Sequence, residues 1–236
     1  MKEFNNKITN LSNNSILSYR FFQPIYIFLF VNLFLISGCS NINKNEDINI
    51  CSTTKLPCID SNEYVLFITN KGNIKLELYG KLAPITVGNF IDFIEKGSYN
   101  KTIFNRVIKK PYPFIIRGGA NTSIGNQNKL IDTKIKDKRY IPLEIKLKTS
   151  NLPIYGKEID EPSQINNIEL KHKRSYLSMA RSKALNSASL QFYILLKSLP
   201  ELDGRYAVFG KVISGMNIVD LIQEEDFIIE AKRVDS

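Results

Sequence analysis

The sequence predicts a mainly β fold, a closed barrel with helices over its open ends. Three observations lead there. From Glu63 to the C-terminus the chain breaks into many short apolar runs rich in β-branched and aromatic residues. Only two segments in that region carry apolar residues at helical spacing, and they lie far apart. A parallel α/β fold would need a helix after most strands, and those helices are missing.

Taken in order, Tyr64–Thr69 and Ile74–Tyr79 flank Asn70-Lys71-Gly72-Asn73, and the second run alternates apolar with charged residues. That is a β-hairpin with good turn chemistry. Pro84 to Lys96 follows, with Val87, Phe90, Ile91 and Ile94 on one face, a proline at its start and Gly97 after its end, which predicts an amphipathic helix. Thr102 to Gly119 is the stretch around which the rest is organised. Ile103, Phe104, Val107 and Ile108, then Phe114, Ile115 and Ile116, form two short buried strands joined at Pro111-Tyr112-Pro113. Arg106 interrupts the first, so its cation reaches out of the sheet or faces a polar cleft. Gly118-Gly119 permits a sharp turn or a close approach. A lone cation above an apolar floor suits a largely apolar ligand with one carbonyl, such as a prolyl peptide.

Asn121 to Ile168 is long, polar and lysine-rich, with only Tyr140–Ile145 looking ordered, and reads as loops decorating the domain. Ser175–Ala180, Leu190–Leu196 and Tyr206–Ile213 are strand-like, Met216–Gln223 is a short helix, and Phe227–Arg233 is a closing strand.

The N-terminus is of a different kind. Residues 21–38, FFQPIYIFLFVNLFLISG, are strongly apolar and follow Lys2, Lys7 and Arg20, the arrangement of a signal peptide over residues 1–38. Ser37-Gly38-Cys39 looks like a bacterial lipobox, which makes Cys39 the lipidated first residue of the mature chain. The alternative is an uncleaved signal anchor, weakened by Gln23, Pro24 and Asn32. Either places the folded part outside the cytoplasm, anchored to a membrane. Residues 39–62, rich in Asn, Asp, Ser and Thr, read as a flexible tether before a domain spanning 63–236. Cys51 and Cys58 lie in it and would close a small loop in an oxidising compartment.

Composition excludes several functions. The 236 residues are 43% hydrophobic with a net charge of +9, enough for one sizeable core. The lysines are scattered, with no arginine-rich helix and no interleaved aromatics, which argues against nucleic acid. The one histidine, His172, sits in Lys171-His172-Lys173-Arg174 and reads as part of a solvated charge run. With no second histidine and no glycine-flanked serine, a Ser-His-Asp hydrolase has little support. No cluster at zinc spacing, P-loop or GxGxxG fingerprint is present, so neither metal nor cofactor is expected.

Six collinear segments, GNIKLELYGKLAPITVGNF, FNRVI, PFIIRGG, YLSMARS, NSASLQFYILL and LDGRYAVFGKVISGMNIVD, together resemble the cyclophilin-type peptidyl-prolyl isomerases from about Tyr64 to the C-terminus. The resemblance implies an eight-stranded antiparallel barrel capped by two helices, and cofactor-free cis/trans isomerisation of X-Pro bonds. It assigns Arg106 as the catalytic guanidinium. Phe114, Ile115, Tyr193 and Leu202 line the proline pocket, Ile115 standing for a usual methionine and Tyr193 for a usual phenylalanine. Gln191 hydrogen-bonds the peptide, the backbone of Ala180 and Arg181 receives it as an added strand, and Tyr206 stands beside the proline. The partners implied are proline-containing polypeptides, exported proteins in particular, bound by a monomer in the cell envelope.

The departures from the pattern are Asn105 for a histidine, Arg117 for a glutamine, Ala120 for an aspartate, Leu190 for a serine, and Glu201 on the rim. Arg117 is the serious one. The usual glutamine holds the catalytic arginine in register, whereas a second guanidinium repels it and accepts no hydrogen bond. Two readings follow: an active isomerase, or a peptide-binding module that has lost turnover.

Overall fold

Alternation of inward and outward residues builds the sheet. In the computed structural model, which describes residues 50–120 and 139–236, β1 (Asn62–Thr69) and β2 (Gly72–Tyr79) pair antiparallel around Asn70-Lys71, as the hairpin pattern requires. Val65, Phe67, Ile74, Leu76 and Leu78 are fully buried and alternate with more exposed neighbours. Gly72 turns the chain at φ +134°, where a Cβ would also come within 2.9 Å of the Ile218 side chain.

The remaining strands are β3 (Arg106–Val107), β4 (Ile115–Gly118), β5 (Glu144–Ile145), β6 (Ile154–Tyr155), β7 (Tyr176–Met179), β8 (Phe192–Leu195), β9 (Val208–Ser214) and β10 (Ile228–Val234). All but β5 and β6 join β1 and β2 in one eight-stranded antiparallel sheet, ordered β10-β1-β2-β9-β7-β8-β4-β3. The expected closed barrel is instead a curled half-barrel with β10 and β3 at its edges. β3 has two residues and the chain before it turns at Lys101 (φ 65°), so no ladder runs between the edges. They meet through an isolated bridge, Ile103 to Phe227, and bonds such as Phe104 N to the Asp226 carbonyl at 2.7 Å.

Four helices are described: α1 (Ile50–Thr53), α2 (Pro84–Glu95), α3 (Pro162–Asn166) and α4 (Met216–Leu221). Helix α2 buries Val87, Phe90, Ile91 and Ile94 as the spacing predicts. The Phe90 ring lies 4.8–6.2 Å from those of Phe67, Tyr99, Phe192 and Phe209, which ties helix to sheet. Helix α4 stops before the expected Gln223 because Ile222 is already extended, and Lys109 Nζ takes up the carbonyls of Asp220 and Ile222 there.

Two segments are more ordered than the sequence suggests. From Ile50 on, the expected tether packs on the domain. Cys51 and Cys58 form a disulfide, Leu56, Cys58 and Ile59 rest on the core, and Ile59 N donates to the Pro84 carbonyl at 3.1 Å. A Cβ at Gly88 of α2 would lie 2.4 Å from Cys58 N, so that residue must be glycine for the segment to lie so close. Cys39 and the apolar N-terminal stretch lie outside the described residues.

The second is the supposed decoration. β5 pairs with β6, and Leu143, Ile145, Leu147, Ile159, Ile168 and Ala207 form a small core of their own. Glu144 on β5 is 1% exposed, and its carboxylate accepts from Ile85 N at 3.2 Å and Thr86 N at 2.8 Å. Both donors are first-turn amides of α2 that have no intrahelical partner. Burial raises the Glu144 carboxyl above its ordinary value, and the amides only partly offset that.

Replacing Glu144 with alanine is expected to cost about 2 kcal/mol in urea unfolding, because two buried amides lose their acceptor. The folded chain holds the Glu144 proton more tightly than the unfolded chain does. This group's contribution therefore declines as pH climbs from the ordinary carboxyl value through the raised one, and Glu144→Gln should flatten that slope.

Candidate active site

The site is built on the face of the sheet opposite the main core. Along β8, Phe192 and Ile194 enter that core, so Tyr193 and Leu195 must point the other way. Register carries the pattern across: Arg106 of β3 lies opposite Arg117 of β4, Arg117 opposite Tyr193, and Tyr193 opposite Ser178 of β7. Directly opposed residues share a face. Arg106, Arg117, Tyr193 and Ser178 therefore form one row, with Ile115 and Leu195 in the next.

An apolar cluster occupies this face. Ile115, Tyr193, Leu195 and Leu199 are buried in it, and Ile108, Phe114, Tyr176, Ala180, Leu202 and Tyr206 are partly buried against them. All four expected pocket residues (Phe114, Ile115, Tyr193 and Leu202) are there, with Ala180 and Tyr206. Leu202 comes from a short 3-10 turn, Pro200–Leu202, that also leaves Glu201 exposed on the rim. Tyr206 meets Tyr193 edge to face at 6.0 Å. Arg181 lies over the Tyr206 ring at 4.7 Å and is held by Glu158 and by the Arg205 carbonyl. Its side chain is thus a wall of the cluster, in addition to the backbone role expected of it.

Two expectations change in detail. The Ala180 amide already donates to the Gln191 carbonyl at 2.9 Å, so a peptide strand would find only the Ala180 carbonyl on offer. Ala120 and Leu190, 1% and 7% exposed, belong to the interior. Ala120 bridges Ile103, and the Leu190 carbonyl accepts from the Tyr99 hydroxyl at 2.8 Å. Neither alters the groove directly. The Gln191 carboxamide makes no hydrogen bond among the described residues.

The cations differ from one another. Arg106 is exposed and has no ion pair among the described residues. Arg117 is half-buried beside Asn105, whose carboxamide, with its nitrogen on the Arg117 carbonyl at 3.2 Å, accepts from Arg117 Nη2 at 3.0 Å. Burial, then the nearby Arg106 charge, lower the Arg117 pKa from its ordinary value. Asn105, which stands for the usual histidine, thus holds the unusual arginine.

A family model described as cyclophilin type peptidyl-prolyl cis-trans isomerase/CLD matches residues 64–234. The chain belongs to this family. Peptidyl-prolyl cis-trans isomerase A of Dickeya dadantii (strain 3937) is 34% identical over 169 residues, 70% of this chain and 73% of the relative. That of Acinetobacter baylyi is 35% identical over 167 residues, 69% and 72% of the two. The chain spans only 26% of peptidyl-prolyl cis-trans isomerase-like 2 of Rhizopus delemar, at 37% identity. Among solved structures, a Cryptosporidium parvum cyclophilin crystallised with the dipeptide Ala-Pro matches with a TM-score of 0.52 and 29% identity, over 74% of this chain and all of that one.

Beneath the outer apolar cluster of this cyclophilin lies a network that sequence reasoning missed. His172, expected in solvent, is 2% exposed. Asp203 Oδ1 takes both the His172 amide and Nδ1 at 2.8 Å, and Nε2 faces Ser178 Oγ and the Tyr193 hydroxyl at 3.3 Å each. The surrounding lysines and arginine disguise the histidine. One signal was available: a tyrosine hydroxyl on an otherwise apolar buried strand needs a buried partner. Ser178 is fully buried and donates to the Ala207 carbonyl at 2.9 Å, so the group braces the pocket floor and offers no nucleophile.

Burial disfavours the Asp203 charge, but the two His172 hydrogen bonds and Lys171 overcome that and hold its carboxyl below the ordinary value. Such a group stabilises the fold above the unfolded carboxyl pKa, and that contribution is lost as pH falls through the folded one. Asp203→Asn is expected to cost about 1–3 kcal/mol at neutral pH and to make the acid limb of a stability–pH curve shallower, read by thermal melts across pH 2 to 7.

Proposed function

We propose that this cyclophilin is a working peptidyl-prolyl isomerase that assists the folding of exported proteins from a membrane anchor. The observation that carries the reading is the shared face: Arg106 lies in the row that holds Tyr193, beside the apolar cluster of Phe114, Ile115, Leu202 and Tyr206.

The chemistry asks for no more than this. An X-Pro bond crosses a barrier of roughly 18–20 kcal/mol, slowly enough to limit folding. The cluster takes the proline ring and keeps water from it. In the twisted amide C–N conjugation is lost, and the imide nitrogen becomes pyramidal and basic. The Arg106 guanidinium then donates to a nitrogen that accepted nothing in the planar ground state, so its bond favours the transition state selectively. Each 1.4 kcal/mol gained in this way is worth about tenfold in rate.

Arg117 favours a second reading. Opposed to Arg106 in register, it places a repelling charge where the family keeps a glutamine, which suits a groove that binds peptides with little turnover. An isomerisation assay on residues 39–236 with Cys39→Ser separates the two. Activity that drops about a hundredfold or more in Arg106→Ala fits the isomerase. A silent parent that gains activity in Arg117→Gln would instead mark a binding module.

The envelope location rests on the basic and apolar N-terminal stretch, on Ser37-Gly38-Cys39, and on the Cys51–Cys58 disulfide, which suits an oxidising compartment. Cells grown on labelled palmitate should incorporate the label through Cys39, and a Cys39→Ser chain that stays labelled would rule out that lipidation site.

A further inference from the structure

Arg106 and Arg117 lie directly opposite one another across the β3–β4 rung, and neither makes an ion pair among the described residues. Glu224, whose carboxylate accepts from Val107 N at 3.1 Å, makes no ion pair with Arg106. Glu158 is held by Arg181, and Asp203 by His172 and Lys171. Arg117 has only the neutral carboxamide of Asn105 beside it among the described residues. A pair of like charges on directly opposed strand residues is unfavourable, and it is kept here on the face that takes the peptide. Guanidinium presents five N–H donors in a planar fork, matched to a carboxylate, and Asn105 occupies part of one fork only. An anionic group entering from solvent would relieve the repulsion and fill the free donors of both residues.

We propose that Arg106 and Arg117 make this site selective for peptides carrying a carboxylate side chain next to the proline. The inference rests on the peptide groove proposed above and names the substrate class that the groove prefers. Arg117 acts as the specificity residue, because it adds the second charge where an uncharged amide would leave Arg106 alone.

The test uses acetylated, amidated peptides that differ at one residue, Glu, Gln or Lys, placed immediately before or immediately after the proline. Isomerisation is followed by NMR exchange and binding by shift titration. For at least one of the two positions, Glu is expected to exceed Gln about three- to tenfold in kcat/KM or affinity, with Lys lowest. The preference should shrink in 0.5 M salt as the charges are screened. In Arg117→Gln the Glu-to-Gln ratio should fall toward one whatever happens to the absolute rate. Equal handling of Glu and Gln at both positions, or a preference that survives Arg117→Gln, would overturn the proposal while leaving the groove intact. A chain that neither binds nor turns over any of these peptides would remove the groove reading itself, and the selectivity with it.

Discussion

Everything else in the fold hangs on the contact of the Phe90 ring with four other rings. Phe67 comes from the first hairpin strand, Phe192 from β8, Phe209 from β9, and Tyr99 from the chain leaving α2. A curled sheet without a closing ladder needs something inside it to fix its curvature. Five large rings at centroid distances of 4.8–6.2 Å serve that end better than aliphatic chains, since all but Phe209 meet three or four of the others and each has few rotamers. Their positions decide where β8 runs, and β8 decides where the outer face lies.

The site is thus the reverse side of the core. Phe192 and Tyr193 are neighbours in sequence and belong to different packing clusters, one under the helix and one on the opposite face of the sheet. The period-two geometry of a strand leaves no slack between them. The His172–Asp203 pair adds the support that the sheet alone lacks, because it reaches the Tyr193 hydroxyl from the loops before β7 and after the Pro200–Leu202 turn. Tyr193 is held by the sheet at its backbone and by this pair at its tip.

Much of this was legible in the residues. The hairpin announces itself through alternation around Asn70-Lys71-Gly72-Asn73, and α2 through four apolar residues between a proline and a glycine. Phe114, Ile115, Tyr193, Leu202 and Tyr206 could be placed through family segments even though they come from distant parts of the chain. What stayed hidden depends on partners that no local pattern reveals. Openness of the sheet follows from the shortness of β3, and strand length at an edge is set by the neighbour. His172 and Asp203 are 31 residues apart, and cations surround the histidine. The small core around Ile145 extends beyond the Tyr140–Ile145 run to single apolar residues such as Leu147, Ile159 and Ile168 set among polar ones, so its extent is not marked by any run. Leu56 and Ile59 look like incidental hydrophobes in a polar stretch until α2 lies beside them.

The Glu144 carboxylate at the start of α2 bears on how this chain can vary between relatives. A surface insertion is ordinarily the freest part of a domain, since lengthening or exchanging it costs only slowly growing loop entropy. Here the segment around Glu144 supplies the acceptor for Ile85 and Thr86, and the helix it caps is the one that centres the rings. A chain that traded residues 139–160 for a shorter loop would have to bring another acceptor to the same two amides. The segment and the helix are one structural unit, although some sixty residues separate them in the sequence.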